Sequence, residues 1–316
     1  MASTKNTHWQ APGRVETIVE LSLSILYLLF QGLFVDITPL HLLIVGLFNL
    51  LFFAHQSTRK LAIALLPFVA FGVSYDWMRL YPNYKVNPID IRGLYEAEAS
   101  LFGITNGGTT LTPCEFFNIH HAPFADLMAG IFYLCWVPVP IAFGIWLYLK
   151  KDYKTYLHFS IVFLFVNLIG FCGYYIHPAA PPWYAINYGF EPIFNTPGNV
   201  AGLGRFDELV GLPIFANIYN GNANIFAAVP SLHASYMLIT TIYAIMSHRS
   251  KLLILLFAFI TLGIWWTAVY SCHHYVIDVL LGIGTAILGI LIFEQLLMRI
   301  RPFSRFINRY SEVITQ

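Results

Sequence analysis

Long runs of apolar residues, separated by short polar segments, occupy the chain from residue 15 to residue 298. A membrane-spanning helix needs about 20 predominantly apolar residues, and eight stretches approach or exceed that length. We therefore predict an all-α polytopic membrane protein with about eight transmembrane helices. The predicted spans are residues 15–35, 38–55, 60–78, 124–149, 156–177, 227–247, 251–270 and 276–298, the second of which is the shortest and carries His41.

The distribution of basic residues predicts how these spans are oriented. Lysine and arginine favour the cytosolic ends of membrane helices. If there are eight spans, most of the 17 basic residues share the side of the two termini, and four lie opposite: Arg79, Lys85, Arg92 and Arg205. We therefore predict cytosolic termini, with residues 79–123, 178–226 and 271–275 facing the periplasm or an organelle lumen. The host membrane would be a bacterial inner membrane or a Golgi-like membrane.

Composition supports a membrane protein and excludes some partners. Only 10% of residues are charged and 58% are hydrophobic, whereas soluble domains carry about 25% charged residues. The net charge is +1 and the bases are scattered, so we predict no nucleic-acid partner. The four cysteines have no CxxC spacing, which predicts neither a disulfide framework nor a zinc site.

Two polar segments are too long to be simple connectors. They cover residues 79–123 and 178–226, and loops longer than about 15 residues are usually functional or disordered. Both are rich in aromatic residues and glycine, so we expect ordered structure that covers a site. The chain is predicted to comprise N-terminal transmembrane helices (1–78), a catalytic transmembrane domain with these two outer loops (79–298) and a basic cytosolic tail (299–316).

The candidate chemistry lies at the outer edges of the last three spans. His274 and Asp278 are four residues apart, which places them on one face of a helix, and an intramembrane carboxylate normally has a partner or a function. Asp278 can accept a hydrogen bond from one imidazole nitrogen, leaving the other free as a nucleophile. His233 opens the sixth span on the same side and can exchange protons with substrate oxygens. Ser231 and the amides at that helix start suit a phosphate group. Together they predict phosphoryl transfer through a phosphohistidine.

These residues also carry a resemblance to a known family. Pro230-Ser-Leu-His233 and His274-x3-Asp278 resemble the second and third signature motifs of the type 2 phosphatidic-acid phosphatase superfamily. More narrowly, the chain is similar to fungal-type inositol phosphorylceramide synthases over about residues 75–298, through His-Pro-Ala-Ala-Pro-Pro-Trp-Tyr at 177–184 and Gly-Leu-Gly-Arg-Phe-Asp at 202–207.

That resemblance implies a catalytic core of six helices and a sphingolipid synthase. Such an enzyme transfers the inositol-phosphate headgroup of phosphatidylinositol to ceramide and releases diacylglycerol. In the implied mechanism His274 attacks phosphorus, and His233 protonates diacylglycerol and then deprotonates ceramide. No metal or organic cofactor is implied. Whether an accessory subunit or a homo-oligomer is required stays open.

The chain departs from the phosphatase pattern in its cations. Thr267 and Ala268 occupy the places of a Ser-Arg pair, and the first phosphatase motif, Lys-x6-Arg-Pro, is absent, with His177-Pro178 in its neighbourhood. These losses favour the synthase branch. We expect Arg205 to supply the missing charge by bidentate contact with phosphate. Ser231 and His273 are further candidates for phosphate binding, and candidate lipid or headgroup contacts are His177, Trp183, Tyr184, Asp207 and Tyr275.

The same residues are compatible with other functions. A lipid phosphatase or pyrophosphatase would use the same three residues with water as the acceptor, and a synthase could use a different donor or a dihydroceramide. The pairs His120-His121 and His273-His274 suggest a di-iron oxidase, but the HxxxH and HxxHH spacings are absent. A transporter would show inverted repeats and broken helices, and neither is visible in the sequence.

Overall fold

The computed structural model describes residues 11–221 and 224–315, and these are mainly helical. Residues 1–10 lie outside the described part of the chain, and the first predicted span, which begins at residue 15, lies within it. Four helices form the N-terminal region: α1 (Arg14–Phe30), α2 (Pro39–Ala54), α3 (Gln56–Ala64) and α4 (Leu66–Trp77).

The first long outer loop is ordered, as expected. It contains helix α5 (Arg92–Phe102), strands β1 (Ile104–Asn106) and β2 (Thr109–Leu111), and helix α6 (Pro113–Ile119). The strands pair antiparallel, with Ile104 opposite Leu111. Gly107 and Gly108 both have positive φ angles, which a tight two-residue hairpin turn requires. This hairpin departs from the all-α prediction, and the glycine pair that causes it is visible in the sequence.

The rest of the chain builds the helical bundle and the second outer loop. The bundle helices are α7 (Pro123–Leu134), α8 (Pro138–Leu149), α9 (Tyr153–Ile176), α13 (Leu232–Met246), α14 (Lys251–Tyr270) and α15 (Val276–Leu291), the last continuing as a π-helical segment, Ile292–Leu296, and a 3-10 turn, Leu297–Arg299. The second outer loop contains α10 (Pro182–Tyr188), α11 (Gly204–Val210) and α12 (Ile214–Asn220), and the tail forms α16 (Arg301–Thr315).

Several helices are those of an integral membrane protein. Within the described residues, four are long and apolar enough to cross a membrane: Arg14–Val35, Tyr153–Ile176, Lys251–Tyr270 and Val276–Arg299. The number rises to six if each of two bent helix pairs forms one span, and two shorter apolar helices, α2 and α13, occupy the remaining predicted positions. All eight predicted stretches therefore contain helix, although the sixth becomes helical only at Leu232. The count of eight spans and the cytosolic termini stay predictions.

The two bent pairs are breaks that the sequence interpretation did not anticipate. Helices α3 and α4 meet at 46°, and α7 and α8 meet at 41°. Pro67 and Pro138 each lie within the first two positions of the second helix of a pair, and proline cannot continue a helix because it lacks a backbone N–H. Broken helices therefore do occur here, although the sequence suggested none.

Close helix packing brings the ends of α13 and α15 together. A Cβ atom on Gly282 of α15 would lie 2.0 Å from the carbonyl oxygen of Ser231, the residue before α13. The Ser231 amide donates to the Asp278 carbonyl oxygen at 2.9 Å, and the Ser235 hydroxyl donates to the Gly282 carbonyl oxygen at 2.8 Å. Because Gly282 has no side chain, the two helices approach closely enough for residues in their first turns to meet.

The basic tail folds back on the bundle as an amphipathic helix. In α16, Ile307 and Ile314 are buried, and the Tyr310 hydroxyl donates to the Ile63 carbonyl oxygen at 2.6 Å. The arginines of this helix, Arg301, Arg305 and Arg309, are exposed. The tail is thus packed against α3 and the bundle rather than extended.

Candidate active site

The three residues predicted to be catalytic lie side by side. His233 is the second residue of α13, His274 lies in the loop after α14, and Asp278 lies in the first turn of α15. Nδ1 of His233 is 3.0 Å from Nε2 of His274, and Nδ1 of His274 is 3.3 Å from Oδ2 of Asp278. The structure therefore brings together the sequence-predicted set in the order carboxylate, imidazole, imidazole.

These contacts fit one arrangement of protons on the two rings. When the buried Asp278 is a carboxylate it can only accept, and Nδ1 of His274 then donates to it. Nε2 of His274 then holds a lone pair, which accepts the N–H of His233 Nδ1. Burial lowers the pKa of His274 to about 4, so its ring is neutral at physiological pH. The arrangement presents a neutral, oriented imidazole with a nucleophilic Nε2.

A buried glutamate from the first outer loop holds the start of α15. Glu98 of α5 is fully buried. Its Oε1 accepts from the Val276 amide at 2.8 Å and its Oε2 from the Ile277 amide at 3.1 Å. These amides are helix N-terminal donors that have no partner within the helix. Glu98 therefore anchors the segment between His274 and Asp278, and sequence reasoning did not find it.

Two thiols attach helix α6 to the same segment. The Cys114 thiol donates to the His274 carbonyl oxygen and the Cys272 thiol donates to the Cys114 carbonyl oxygen, each at 3.3 Å. Both cysteines are free and buried, and burial raises the pKa of Cys272 to about 12. The thiols stay protonated and can act as donors, so the first outer loop contacts the backbone of the candidate nucleophile directly.

Aromatic rings enclose the imidazoles. Tyr133 of α7 stacks on His233 with ring centroids 5.1 Å apart and on His273 at 5.7 Å. Trp136, in the break between α7 and α8, lies 4.4 Å from the His233 ring, and Tyr219 of α12 stacks on His273 at 4.3 Å. The His233 ring is thus held between Tyr133 and Trp136, which limits its rotation.

A cavity of about 200 Å³ opens onto the imidazoles. Among the described residues that line it, none is an aspartate, glutamate, lysine or arginine. Its walls come from α4, α9, α10, α12 and α13 and from the segments between α7 and α8, before α13 and between α14 and α15: Phe71, Tyr75, Trp136, Tyr174, Pro181, Trp183, Ile218, Tyr219, Gly221, Asn224, Ile225, Ala227, Ala228, Leu232, His233, Tyr236, His273 and His274. This is a mainly apolar chamber with histidines on one wall, which suits the reacting part of a lipid.

Arg205, the candidate phosphate ligand, has a protein partner. Its Nε lies 2.6 Å from Oδ1 of Asp126, and its guanidinium lies over the Tyr270 ring at 5.2 Å. The Tyr270 hydroxyl donates to the same Asp126 oxygen at 2.8 Å. Arg205 is not among the residues that line the cavity. The structure therefore gives it a role in attaching α11 to α7 and α14, and phosphate binding stays a prediction.

The other two candidates for phosphate binding differ in position. His273 lines the cavity, and its Nε2 lies 3.1 Å from the Val200 carbonyl oxygen. Ser231 is fully buried beside the candidate catalytic residues, and its hydroxyl has no hydrogen-bond partner within the described residues. The Ser231 amide, expected to be free for phosphate, donates instead to the Asp278 carbonyl oxygen. The case for phosphate binding by Ser231 is therefore weaker than its sequence position suggests, because its amide is already bonded.

The lipid-contact candidates divide into one that faces the cavity and four that support the fold. Trp183 lines the cavity. Tyr184 is buried and its hydroxyl donates to the Glu191 carbonyl oxygen at 3.0 Å. Tyr275 is buried and its amide donates to Oδ2 of Asp278 at 2.9 Å. Trp183 thus keeps its predicted role as a candidate contact, while Tyr184 and Tyr275 have structural partners.

His177 and Asp207 also have structural partners. Nε2 of His177 lies 3.3 Å from Oδ2 of Asp90. The Asp207 carboxylate accepts from the amides of Phe215 and Ala216 at 3.0 and 2.9 Å, which caps the start of α12. Neither residue lines the cavity.

The histidine pairs that suggested an iron site do not assemble one. Within the described residues, no group of three or more histidine, cysteine, aspartate or glutamate side chains is arranged to hold a metal ion. His120 stacks on Phe116 with ring centroids 4.3 Å apart, and Nδ1 of His121 lies 3.4 Å from Oδ2 of Asp126. These contacts give the pair an ordinary structural role.

Comparison with known proteins identifies a family and a relative that matches over nearly its whole length. A family model described as PAP2 superfamily matches residues 110–292. A phosphoinositol dihydroceramide synthase from Bacteroides thetaiotaomicron is 61% identical over 303 residues, covering 96% of this chain and 99% of that protein. No solved structure matches the chain.

More distant relatives are fungal. The inositol phosphorylceramide synthase of Candida albicans is 28% identical over 239 residues, covering 70% of this chain and 46% of that protein. The catalytic subunit of inositol phosphorylceramide synthase from Saccharomyces cerevisiae is 25% identical over 244 residues, covering 77% of this chain and 58% of that protein. The chain thus spans about half the length of these fungal relatives.

Proposed function

The chain belongs to the PAP2 superfamily, and on that basis we propose that it is a sphingolipid synthase that transfers the inositol-phosphate headgroup of phosphatidylinositol to a ceramide-type lipid. The observation that carries the proposal is the contact series from Asp278 through His274 to His233 at the apolar cavity. The names of the Bacteroides and fungal relatives support the same reaction.

In the first half of the reaction, Nε2 of His274 attacks the phosphorus of phosphatidylinositol. The phosphorus–oxygen bond to diacylglycerol breaks, and the leaving oxygen takes a proton from His233, which enters the step as an imidazolium favoured by the nearby phosphate charge. Asp278 keeps the Nδ1 proton of His274 in place and stabilises the charge on the phosphorylated ring. Because His233 and His274 are 3.0 Å apart, their rings must separate to admit phosphorus.

In the second half, the hydroxyl of the acceptor attacks the phosphohistidine. His233, now neutral, removes the hydroxyl proton, the new oxygen–phosphorus bond forms, and the bond to Nε2 of His274 breaks. Both histidines return to their starting states, so the protein neither gains nor loses a proton or a phosphoryl group over the cycle. The apolar walls of the cavity suit the lipid ends of both substrates.

The acceptor is proposed to be a dihydroceramide or ceramide. The 61% identical relative is named for phosphoinositol dihydroceramide, which supports the saturated lipid, while the fungal relatives are named for the ceramide product. We also propose that the site opens to the periplasmic or lumenal side, as the basic residues indicate.

The test uses purified protein in mixed micelles with phosphatidylinositol labelled in the inositol ring. Adding dihydroceramide or ceramide should yield an inositol-phosphorylated sphingolipid and an equal amount of diacylglycerol, identified by mass spectrometry. His274→Ala should form neither product, whereas the matched control His120→Ala, outside the cavity, should retain activity. Release of free inositol phosphate at a rate independent of acceptor would instead indicate a phosphatase that uses water.

A further inference from the structure

Water competes with the lipid acceptor for any phosphohistidine. Water and a lipid hydroxyl would attack the same phosphorus, displace the same nitrogen and use the same general base. Discrimination between them must therefore come from access to the phosphorus. The cavity walls decide that access, and the described lining residues include no aspartate, glutamate, lysine or arginine.

A stack of four rings runs from the second outer loop to His233. The order is Tyr219, His273, Tyr133 and His233, with successive centroids 4.3, 5.7 and 5.1 Å apart and interplanar angles of 15–22°. Tyr219 is partly exposed, whereas His273 and Tyr133 are buried. Tyr219 is therefore the outermost ring of the stack, and it lines the same cavity as His233 and His274.

Helix α12 holds Tyr219 by contacts at its opposite end. The Asp207 carboxylate accepts from the Phe215 and Ala216 amides. The Phe215 ring is fully buried and lies 5.5 Å from the Phe206 ring and 6.2 Å from the Tyr133 ring. These attachments connect α12 to α11 and α7, so the ring of Tyr219 has a defined place over the cavity.

We propose that Tyr219 is a specificity-determining residue that excludes water from the phosphohistidine, so that the headgroup passes to a lipid hydroxyl. The inference rests on the proposed function. In the excluded reaction, a water oxygen bonds to phosphorus, the bond to Nε2 of His274 breaks, and a water proton goes to His233. The product of this reaction is free inositol phosphate. The Tyr219 ring blocks this path because it forms part of the wall of the cavity that opens onto His274, and its face offers no polar group to water.

The experiment measures two products in one reaction. Purified protein receives ring-labelled phosphatidylinositol and dihydroceramide in water enriched in ¹⁸O, and the ratio of free inositol phosphate to inositol-phosphorylated lipid is determined. Tyr219→Ala should raise this ratio on the order of tenfold, and the released inositol phosphate should carry ¹⁸O on phosphorus. Tyr219→Phe, which keeps the ring, should retain the wild-type ratio, as should Tyr81→Ala, an exposed tyrosine outside the cavity.

The ratio separates water exclusion from a general structural role. Damage to the fold would lower both products together, whereas loss of water exclusion raises one relative to the other. If Tyr219→Ala is not recovered as folded protein, Tyr219→Val serves as the second variant, with the same expected rise. An unchanged ratio in the folded variant would overturn the inference. A wild-type protein that makes no inositol-phosphorylated lipid would instead overturn the proposed function.

Discussion

Nδ1 of His233 and Nε2 of His274 are joined by a 3.0 Å contact, so the proposed general acid touches the atom proposed as nucleophile. In this arrangement the lone pair of His274 is occupied by the N–H of His233. A phosphate group that enters the site must replace this contact with two of its own, one to each ring. The short separation therefore predicts that the two histidines act on one phosphorus in different roles.

His233→Ala should separate these roles. Transfer from phosphatidylinositol is expected to fall by about 10²–10⁴-fold because diacylglycerol then leaves without a proton donor. An inositol phosphate ester with a nitrophenol leaving group needs no such donor and should still phosphorylate His274, detected as a labelled peptide. His274→Ala should give no label, and full transfer activity in His233→Ala would contradict the assignment.

Asp278→Asn should reduce catalysis without unfolding the protein. The asparagine oxygen can still accept from the Tyr275 amide, which donates to Oδ2 of Asp278 in the wild type. The negative charge that stabilises the phosphorylated imidazole is lost, so turnover should fall by about 10²–10⁴-fold. Turnover and thermal unfolding are measured on the same preparation, and a variant with normal turnover would remove Asp278 from the mechanism.

Glu98→Gln tests the anchor of α15. The glutamine side chain offers one acceptor where Val276 and Ile277 require two, which leaves a buried amide unpaired at a cost of about 1–3 kcal/mol. We expect a lower unfolding temperature and slower turnover. Glu96→Gln is the matched control on the same helix, since Glu96 is exposed. Equal stability of the two variants would show that the anchor is dispensable.

Arg205 and Asp126 are tested as a pair. Their side chains are 17% and 4% exposed, and removing one partner of a buried ion pair costs about 3–5 kcal/mol. Arg205→Ala and Asp126→Asn should each destabilise the protein, and the double variant should lose less than the sum. If Arg205 also binds phosphate, its replacement will raise the KM for phosphatidylinositol beyond the effect of Asp126→Asn. Equal KM values would restrict Arg205 to a structural role.

The pH dependence follows from the burial of His274. Its pKa is lowered from 6.5 to about 4, so the neutral nucleophile persists until the pH falls through about 4, and the acidic limb of the activity profile should lie there. Between pH 6.5 and about pH 4, His274 is protonated in the unfolded chain and neutral in the folded protein. The contribution of His274 to stability is therefore complete above pH 6.5 and declines toward pH 4. An acidic limb near 6.5 would indicate an exposed ring.

Much of this architecture could be predicted from local sequence. The apolar runs predicted every bundle helix, and the four-residue spacing predicted the contact between His274 and Asp278. The prediction that both lie on one helix was wrong, since α15 begins at Val276 and His274 lies in the loop before it. The position of His233 followed from counting spans, since an even number of crossings returns the chain to the same side. The Gly107-Gly108 pair indicated a hairpin, and the prediction of an all-α fold did not take it into account.

The remaining site residues depend on tertiary contacts that periodicity does not encode. Glu98 belongs to an outer-loop helix and contacts α15 almost 180 residues later, so nothing near it in the sequence indicates its partner. In the sequence, Tyr133 and Trp136 look like ordinary aromatic residues of a membrane span. Their contacts with His233 become evident only once the chain is known to break at Pro138. Arg205 was expected to bind phosphate because the fold that presents Asp126 to it was unknown.

The bend between α7 and α8 links His233, the proposed general acid, to the dimensions of the lipid bilayer. Membrane helices adjust their tilt when the hydrocarbon layer is thicker or thinner than their apolar length. Trp136 lies within the bend, and its ring is 4.4 Å from that of His233, so a new tilt of α8 moves a side chain in contact with the proton-transferring group. Acyl-chain length in the host membrane should accordingly alter turnover even when both substrates are unchanged.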